Sequence, residues 1–308
     1  MTHRFTRAAL FALFLACSGL ACGGDPQQAS LARIRAWRPA DFFMDAATAR
    51  LAEAVAEGDQ AAIDALVRDG ADVNAKGKDG IPLLVWAIAK DSVAGFEALI
   101  RHGADLTSPV RDPALAKKNE ATDRVIQLAV ASSDPKFLRA AIDSGFDPDF
   151  VSDEETKESL LFDAVKHHSE AAVRLLLDAN ANVNHVNATG STAVRFANNV
   201  SYYKMVAYLL ERGIDPTIPD TWGKDLVADL KDRGDNGVPA DQKKFFKQVV
   251  AELERQGLLT QQDIIDATAR RKDRKGTRRG STIIHPRDSA TGRNIDAMDK
   301  STPEADAP

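Results

Sequence analysis

The stretch Gly70-Ala71-Asp72-Val73-Asn74 returns down the chain as Gly103-Ala104-Asp105-Leu106-Thr107, Gly145-Phe146-Asp147-Pro148-Asp149, Asn180-Ala181-Asn182-Val183-Asn184 and Gly213-Ile214-Asp215-Pro216-Thr217. The spacings are 33, 42, 35 and 33 residues. An alanine stands sixteen residues ahead of each copy: Ala54, Ala87, Ala129, Ala164 and Ala197. Just before each copy lies an apolar pair: Leu66-Val67, Leu99-Ile100, Ala141-Ile142, Leu176-Leu177 and Leu209-Leu210. Three features in step across five copies define a repeat, and a repeat decides the architecture ahead of any single motif. The alanine lets an inner helix approach its neighbours closely. The apolar pair is the buried face of an outer helix, and the glycine (or Asn180) supplies the left-handed residue that ends it. A unit this small does not bury its own apolar face, so the units must stack.

These residues resemble the ankyrin repeat, over roughly 46–258. The resemblance implies an all-α solenoid of about five helix-turn-helix repeats with extended fingers, closed by a divergent C-terminal cap. The family signature T-P-L-H-x-A is degenerate here. Gly80-Ile81-Pro82-Leu83-Leu84-Val85-Trp86-Ala87 and Gly190-Ser191-Thr192-Ala193-Val194-Arg195-Phe196-Ala197 come nearest, and Val85, Gln127, Phe162 and Arg195 replace the signature histidine. In the family that histidine ties one turn to the next, so its loss points to looser fingers within an intact fold.

The ends of the array differ from its middle. Trp37, Phe42 and Phe43 precede a helix over 46–57 and are placed to cover its open face. A sixth unit starts at Trp222-Gly223-Lys224-Asp225-Leu226, lacks the alanine register, and continues through Phe245-Phe246-Lys247-Gln248-Val249-Val250 as an amphipathic cap. The expected organisation is a signal peptide over 1–21, a tether and N-terminal cap over 22–45, the array over 46–258, and over 259–308 a tail in which a last short helical stretch gives way to a basic, then low-complexity, disordered segment.

Arg4 and Arg7 precede the apolar run Ala8–Ala16, which has signal-peptide length. Cys17 and Cys22, the two cysteines of the chain, close the segment. Ser18-Gly19-Leu20-Ala21 before Cys22 resembles a bacterial lipobox, with Gly19 where leucine is preferred. Lipidation at Cys22 is expected, and two or more acyl chains make anchoring stable at about 0.8 kcal/mol per buried methylene. An ordinary secretory signal is the competing reading. Gly23 after the cysteine lacks the aspartate that favours inner-membrane retention, which points to the periplasmic face of a bacterial outer membrane. Cleavage there leaves one cysteine, consumed by lipid, and so no intrachain disulfide.

Composition narrows the function. The chain has 308 residues, 44% of them hydrophobic, with 40 basic and 45 acidic side chains and a net charge of −5. Such apolar content excludes a wholly disordered chain, and the mild acidity offers nothing to a general nucleic-acid binder. No apolar run reaches the ~18 residues of a membrane-spanning helix. The array alone holds 25 basic and 34 acidic side chains, a net −9, whereas 259–308 is +2 with its positive charge gathered in 270–279. That basic stretch suits either anionic headgroups or solvent.

Chemistry is scarce. No thiol remains in the mature array, and neither G-x-S-x-G nor a phosphate-cradling glycine loop occurs. His167 and His168 diverge by about 100° on a helix and do not chelate as an i,i+4 pair would. Asp147, Asp149 and Asp153 lack the glycine a calcium loop needs. No enzyme activity, cofactor or metal is expected. Ankyrin proteins bind through finger tips and the exposed ridge of the inner helices, so the resemblance nominates Lys78, Asp79, Asp153, Glu154 and Trp222 at finger tips and Lys90, Lys166, His167 and Asn199 on the ridge. Trp222 is the best anchor candidate, since aromatic side chains are enriched in binding hot spots; packing against the C-terminal cap is its bland alternative. The 42-residue spacing places an extended finger over 107–123, with Arg111, Lys117 and Lys118 as further candidates unless the insertion is functionless. The expected protein is a monomeric, lipid-anchored binding scaffold with a protein partner. By resemblance it suits an immunity protein that neutralises a secreted antibacterial toxin such as a phospholipase; the alternative is an envelope scaffold supporting a resident enzyme or cell-wall component.

Overall fold

A computed structural model describes residues 26–110, 124–132 and 134–280. The signal peptide, Cys22, most of the extended finger with Arg111, Lys117 and Lys118, and residues 281–308 lie outside the described residues. Helix pairs follow one another down the chain. They are α3 (Ala46–Glu57) with α4 (Gln60–Arg68), α5 (Leu83–Ala89) with α6 (Val93–Arg101), α7 (Val125–Ala131) with α8 (Lys136–Asp143), α9 (Leu160–Lys166) with α10 (Glu170–Asp178), and α11 (Ala193–Asn199) with α12 (Tyr203–Glu211). Among the described residues there is no named strand; extended backbone pairs only as single bridges at Lys76–Pro82, Pro109–Arg124, Val151–Ser159 and Val186–Thr192. This is an ankyrin-repeat solenoid.

The register seen in the sequence has its physical counterpart. Ala87, Ala129, Ala164 and Ala197 are fully buried and Ala54 nearly so. Leu99, Ala141, Leu176 and Leu209 are fully buried where the last four outer helices meet their neighbours, and Leu66 of the first is half-buried. Gly70, Gly103, Gly145, Asn180 and Gly213 all have positive φ, so every repeat leaves its outer helix through a left-handed residue. Side-chain caps start several helices: Asp45 accepts the Thr48 N–H at 2.7 Å, Asp59 that of Ala62 at 3.0 Å, and Ser92 that of Gly95 at 3.1 Å.

Both ends are closed more thoroughly than expected. Residues 26–36 read as tether, yet Pro26–Arg35 is helix α1, with Ile34 buried and Arg35 Nε donating to the Ala89 carbonyl at 2.6 Å. After the short α2 (Pro39–Phe42), Phe42 and Phe43 pack on the buried Trp86 with ring centres 5.1 and 5.4 Å away. Gly77 permits this seat, because a Cβ there would meet the Phe42 ring at 2.3 Å. At the other end α13 (Leu226–Arg233) and α14 (Lys243–Arg255) form the cap, with Phe246, Val249, Val250 and Leu253 buried. The short helical stretch expected from about Leu258 runs further than the sequence suggests. Helix α15 (Gln261–Gly280) buries Ile264 and Ala267, and the Thr268 hydroxyl donates to Asp235 at 2.7 Å. Two small apolar contacts hold this segment, too few to stand out in a charge-rich sequence.

Candidate protein-binding face

The Asp-x-Asn pattern of the repeats is a hydrogen-bonding device. Within each turn the first side chain accepts the backbone N–H two residues on: Asp72 from Asn74 at 2.8 Å, Asp147 from Asp149 at 2.9 Å, Asn182 from Asn184 at 3.0 Å and Asp215 from Thr217 at 2.8 Å. The last side chain then reaches the next repeat. Asn74 accepts the Asp105 N–H at 2.8 Å, Asp149 that of Asn182 at 2.6 Å, and Asn184 that of Asp215 at 2.7 Å. The second copy of this position is Thr107, whose hydroxyl turns back to Asp105 at 2.6 Å instead. It lies at the start of the long spacing. Arg124, at the far side of that spacing, donates from Nη1 to the Thr107 carbonyl and from Nε to the Ser152 carbonyl, both at 2.9 Å. The extended finger therefore springs from a base clamped by one guanidinium.

The fingers beyond it join edge to edge. Ala188 N–H donates to the Thr156 carbonyl at 2.7 Å, and Thr221 N–H to the Thr189 carbonyl at 2.9 Å. His185 Nε2 donates to the Lys157 carbonyl at 2.7 Å, which fixes the tautomer because a carbonyl only accepts. Residues 153–224 thus present a continuous row of three finger tips. Trp222 stands at its end with 74% of its surface exposed. It does not pack on the C-terminal cap.

Beneath Trp222 lies an ion-pair relay. Asp220 Oδ1 accepts the N–H groups of Trp222 and Lys224, each at 2.9 Å, and Oδ2 accepts from Arg195 Nη1 at 2.6 Å. Arg195 also donates from Nε and Nη2 to Asp229 of α13, at 3.1 and 3.0 Å. The Arg195 and Asp220 side chains are 7% and 5% exposed. Burial pushes the Asp220 carboxyl up, but hydrogen bonds from the Lys224 N–H, Arg195 and the Trp222 N–H outweigh it and hold the group below the usual carboxylate range. Arg195 therefore takes over the linking role of the missing histidine. Gln127 does so in neutral form, donating to Asp163 of the next repeat at 3.2 Å. The expected loosening of the fingers is corrected at these two joints.

The nominated residues separate into groups. Lys78 sits over the Trp37 ring at 3.7 Å, and Lys90 Nζ donates to the carbonyls of Arg35 and Trp37 at 2.8 and 2.7 Å, so both cations hold the N-terminal cap. Asp79 is exposed in a left-handed turn. Asp153 accepts the Glu155 N–H at 2.7 Å and shapes its finger; Glu154 pairs with Lys157, and Lys166 with Glu158. His167 and Asn199 are exposed on the ridge, the latter beside Val200, which is 45% exposed. Arg195, Asp220 and the exposed Val186 were not nominated as site residues. The first two had a visible signal, a charged residue at the signature-histidine position and an acid where the preceding finger has Asn187.

Among the described residues no group of three or more His, Cys, Asp or Glu side chains is placed to hold a metal, and no helix is long and apolar enough to cross a membrane. Asp163 has the environment of a tuned acid. Burial raises its carboxyl to about 6 against hydrogen bonds from Ser152 and Gln127. It is 6% exposed, however, and sits between repeats out of reach of a substrate.

The family model for ankyrin repeats (3 copies) matches residues 126–220. Similar solved structures include an ankyrin repeat domain from Acinetobacter baumannii, 25% identical, covering 66% of this chain and 96% of its own, TM-score 0.48. The ankyrin repeat domain of Bcl-3 is 22% identical, covers 67% and 93%, and has a TM-score of 0.49. A chain in the complex of a predatory endopeptidase with an immunity protein from Bdellovibrio bacteriovorus is 18% identical, covers 67% and 97%, and has a TM-score of 0.43. The comparison with curated proteins finds no match. Residues 126–220 are ankyrin repeats, and the repeat array is a protein-binding scaffold.

Proposed function

We propose that this chain recognises its protein partner through the finger row ending at Trp222, and that it does so without chemistry of its own. The observation that carries this reading is the indole itself: a side chain 74% exposed, on a turn whose backbone is tied down at both ends. Aromatic anchors on rigid supports dominate binding energy, and this indole stands on such a support.

The finer reading is a bacterial lipoprotein held at the periplasmic face of the outer membrane through Cys22, acting as an immunity protein that occludes a secreted toxin. The signal-like segment, the lipobox resemblance and the acidic array support it. Two experiments test it. Metabolic labelling with an alkyne fatty acid should tag the wild type and not Cys22→Ala; equal tagging, or none in either, removes the anchor. Deleting the gene should leave an unchallenged cell unaffected and sensitise it to one secreted toxin; a defect in unchallenged cells would favour the envelope-scaffold alternative.

A further inference from the structure

Counting one finger after each repeat, finger three carries Asp153, finger four Asn187 and finger five Asp220; finger five is the last in the row among the described residues, and it is held differently from the others. Finger three receives the Ala188 N–H of its successor, and finger four the Thr221 N–H of its own. No later finger lends finger five such a bond among the described residues. Its turn also departs from finger four. There Asn187, a neutral side chain, accepts the Thr189 and Ser191 N–H groups at 3.0 Å and makes no ionic contact. The corresponding residue in finger five is Asp220, buried and bonded to Arg195, which is braced in turn by Asp229 on the cap helix.

We propose that the Arg195–Asp220 pair, braced by Asp229, is the positioning device for Trp222: it replaces the missing neighbouring finger and makes the C-terminal cap part of the binding apparatus. The geometry carries this directly. One carboxylate divides its two oxygens, Oδ1 gripping the turn on both sides of Gly223 and Oδ2 gripping the helix beneath. The guanidinium offers separate N–H groups to two acids on different elements, Nη1 to Asp220 and Nε with Nη2 to Asp229. A turn held in this way keeps the backbone from which the indole projects in place before the partner arrives, which lowers the ordering cost of association. The inference rests on the proposed role of Trp222 in recognition, but its test does not need the partner.

The test is nitrogen-15 relaxation on the full chain, comparing wild type, Asp220→Asn, Arg195→Met/Asp220→Asn and Phe246→Leu. Asp220→Asn keeps an acceptor for the turn and copies finger four while removing the ionic tie. Phe246→Leu perturbs α14 while leaving Asp229 on α13 in place, and so controls for general loosening. The expected result is a Trp222 backbone order parameter near 0.85 in wild type and Phe246→Leu, falling below about 0.6 in both Asp220 variants, with Thr189 and Ser191 unchanged. A low value in wild type, an unchanged value in a folded Asp220 variant, or an equal fall in Phe246→Leu overturns the proposal. If the double variant does not fold, Asp220→Asn alone decides. Should the order parameters behave as expected while Trp222→Ala leaves partner binding unaltered, the positioning stands and the recognition role fails.

Discussion

At the scale of single residues, the array is held by polar groups whose partners lie one repeat away. Asp163 shows the sign of such an arrangement most clearly. Its carboxyl, raised by burial to about 6, keeps a proton that the unfolded chain has released from about 4 upward. The native state therefore binds more protons across that window, stability falls as pH rises from 4 to 6, and the deficit is complete above 6. At neutral pH the ionised group costs about 2–3 kcal/mol. Asp163→Asn is expected to melt above wild type by several degrees at pH 7 and by far less at pH 4, measured by calorimetry at both values. A gap that does not widen with pH would contradict the account. The inter-repeat rungs give a second prediction. Asn184→Ala deletes an acceptor for the Asp215 N–H and should cost about 1 kcal/mol in urea unfolding. Thr107→Ala should cost less, because its hydroxyl returns to its own turn.

At the scale of elements, the repeat was legible because its requirements are local and recur. A small residue where helices touch, an apolar pair and a left-handed turn appear five times, so each copy corroborates the others. What recurs once was not legible. Lys90 looks like any ridge cation in the sequence, and only the N-terminal segment folding back over it makes it a strut. Helix α1 was read as tether, and only a short helical stretch was expected where α15 runs on, because their docking rests on Ile34, Ile264 and Ala267 rather than on a periodic apolar face. Trp222 was left open between an exposed anchor and packing on the cap; the buried relay behind it went unread, since Arg195 and Asp220 lie 25 residues apart on different elements. Two outcomes follow. Lys90→Met should leave the repeats folded while amide exchange in α1 accelerates, because both carbonyl contacts to residues 35 and 37 are lost. Shortening 112–122 to a tight turn should change the melting temperature little, because Arg124 clamps the base at Thr107 and loop closure varies only slowly with length. A loss of cooperative unfolding in that variant would show that the long finger is part of the packed body.

At the scale of the whole molecule, stability and recognition have separate seats. The stacked alanines and leucines are internal, the two caps seal the open ends, and the exposed fingers are tied by hydrogen bonds that leave their tips available. The array's net −9 favours a basic partner surface and acts mainly on the rate of encounter, so association should slow as salt rises while dissociation changes little. The most direct measurement is quantitative capture from envelope extracts and spent medium, with wild type beside Trp222→Ala and the Asp163→Asn variant as a folded control. The account predicts one protein held in stoichiometric amount by wild type and by Asp163→Asn and lost from Trp222→Ala. Retention of that protein by Trp222→Ala at wild-type strength would contradict it and place the binding face elsewhere on the array.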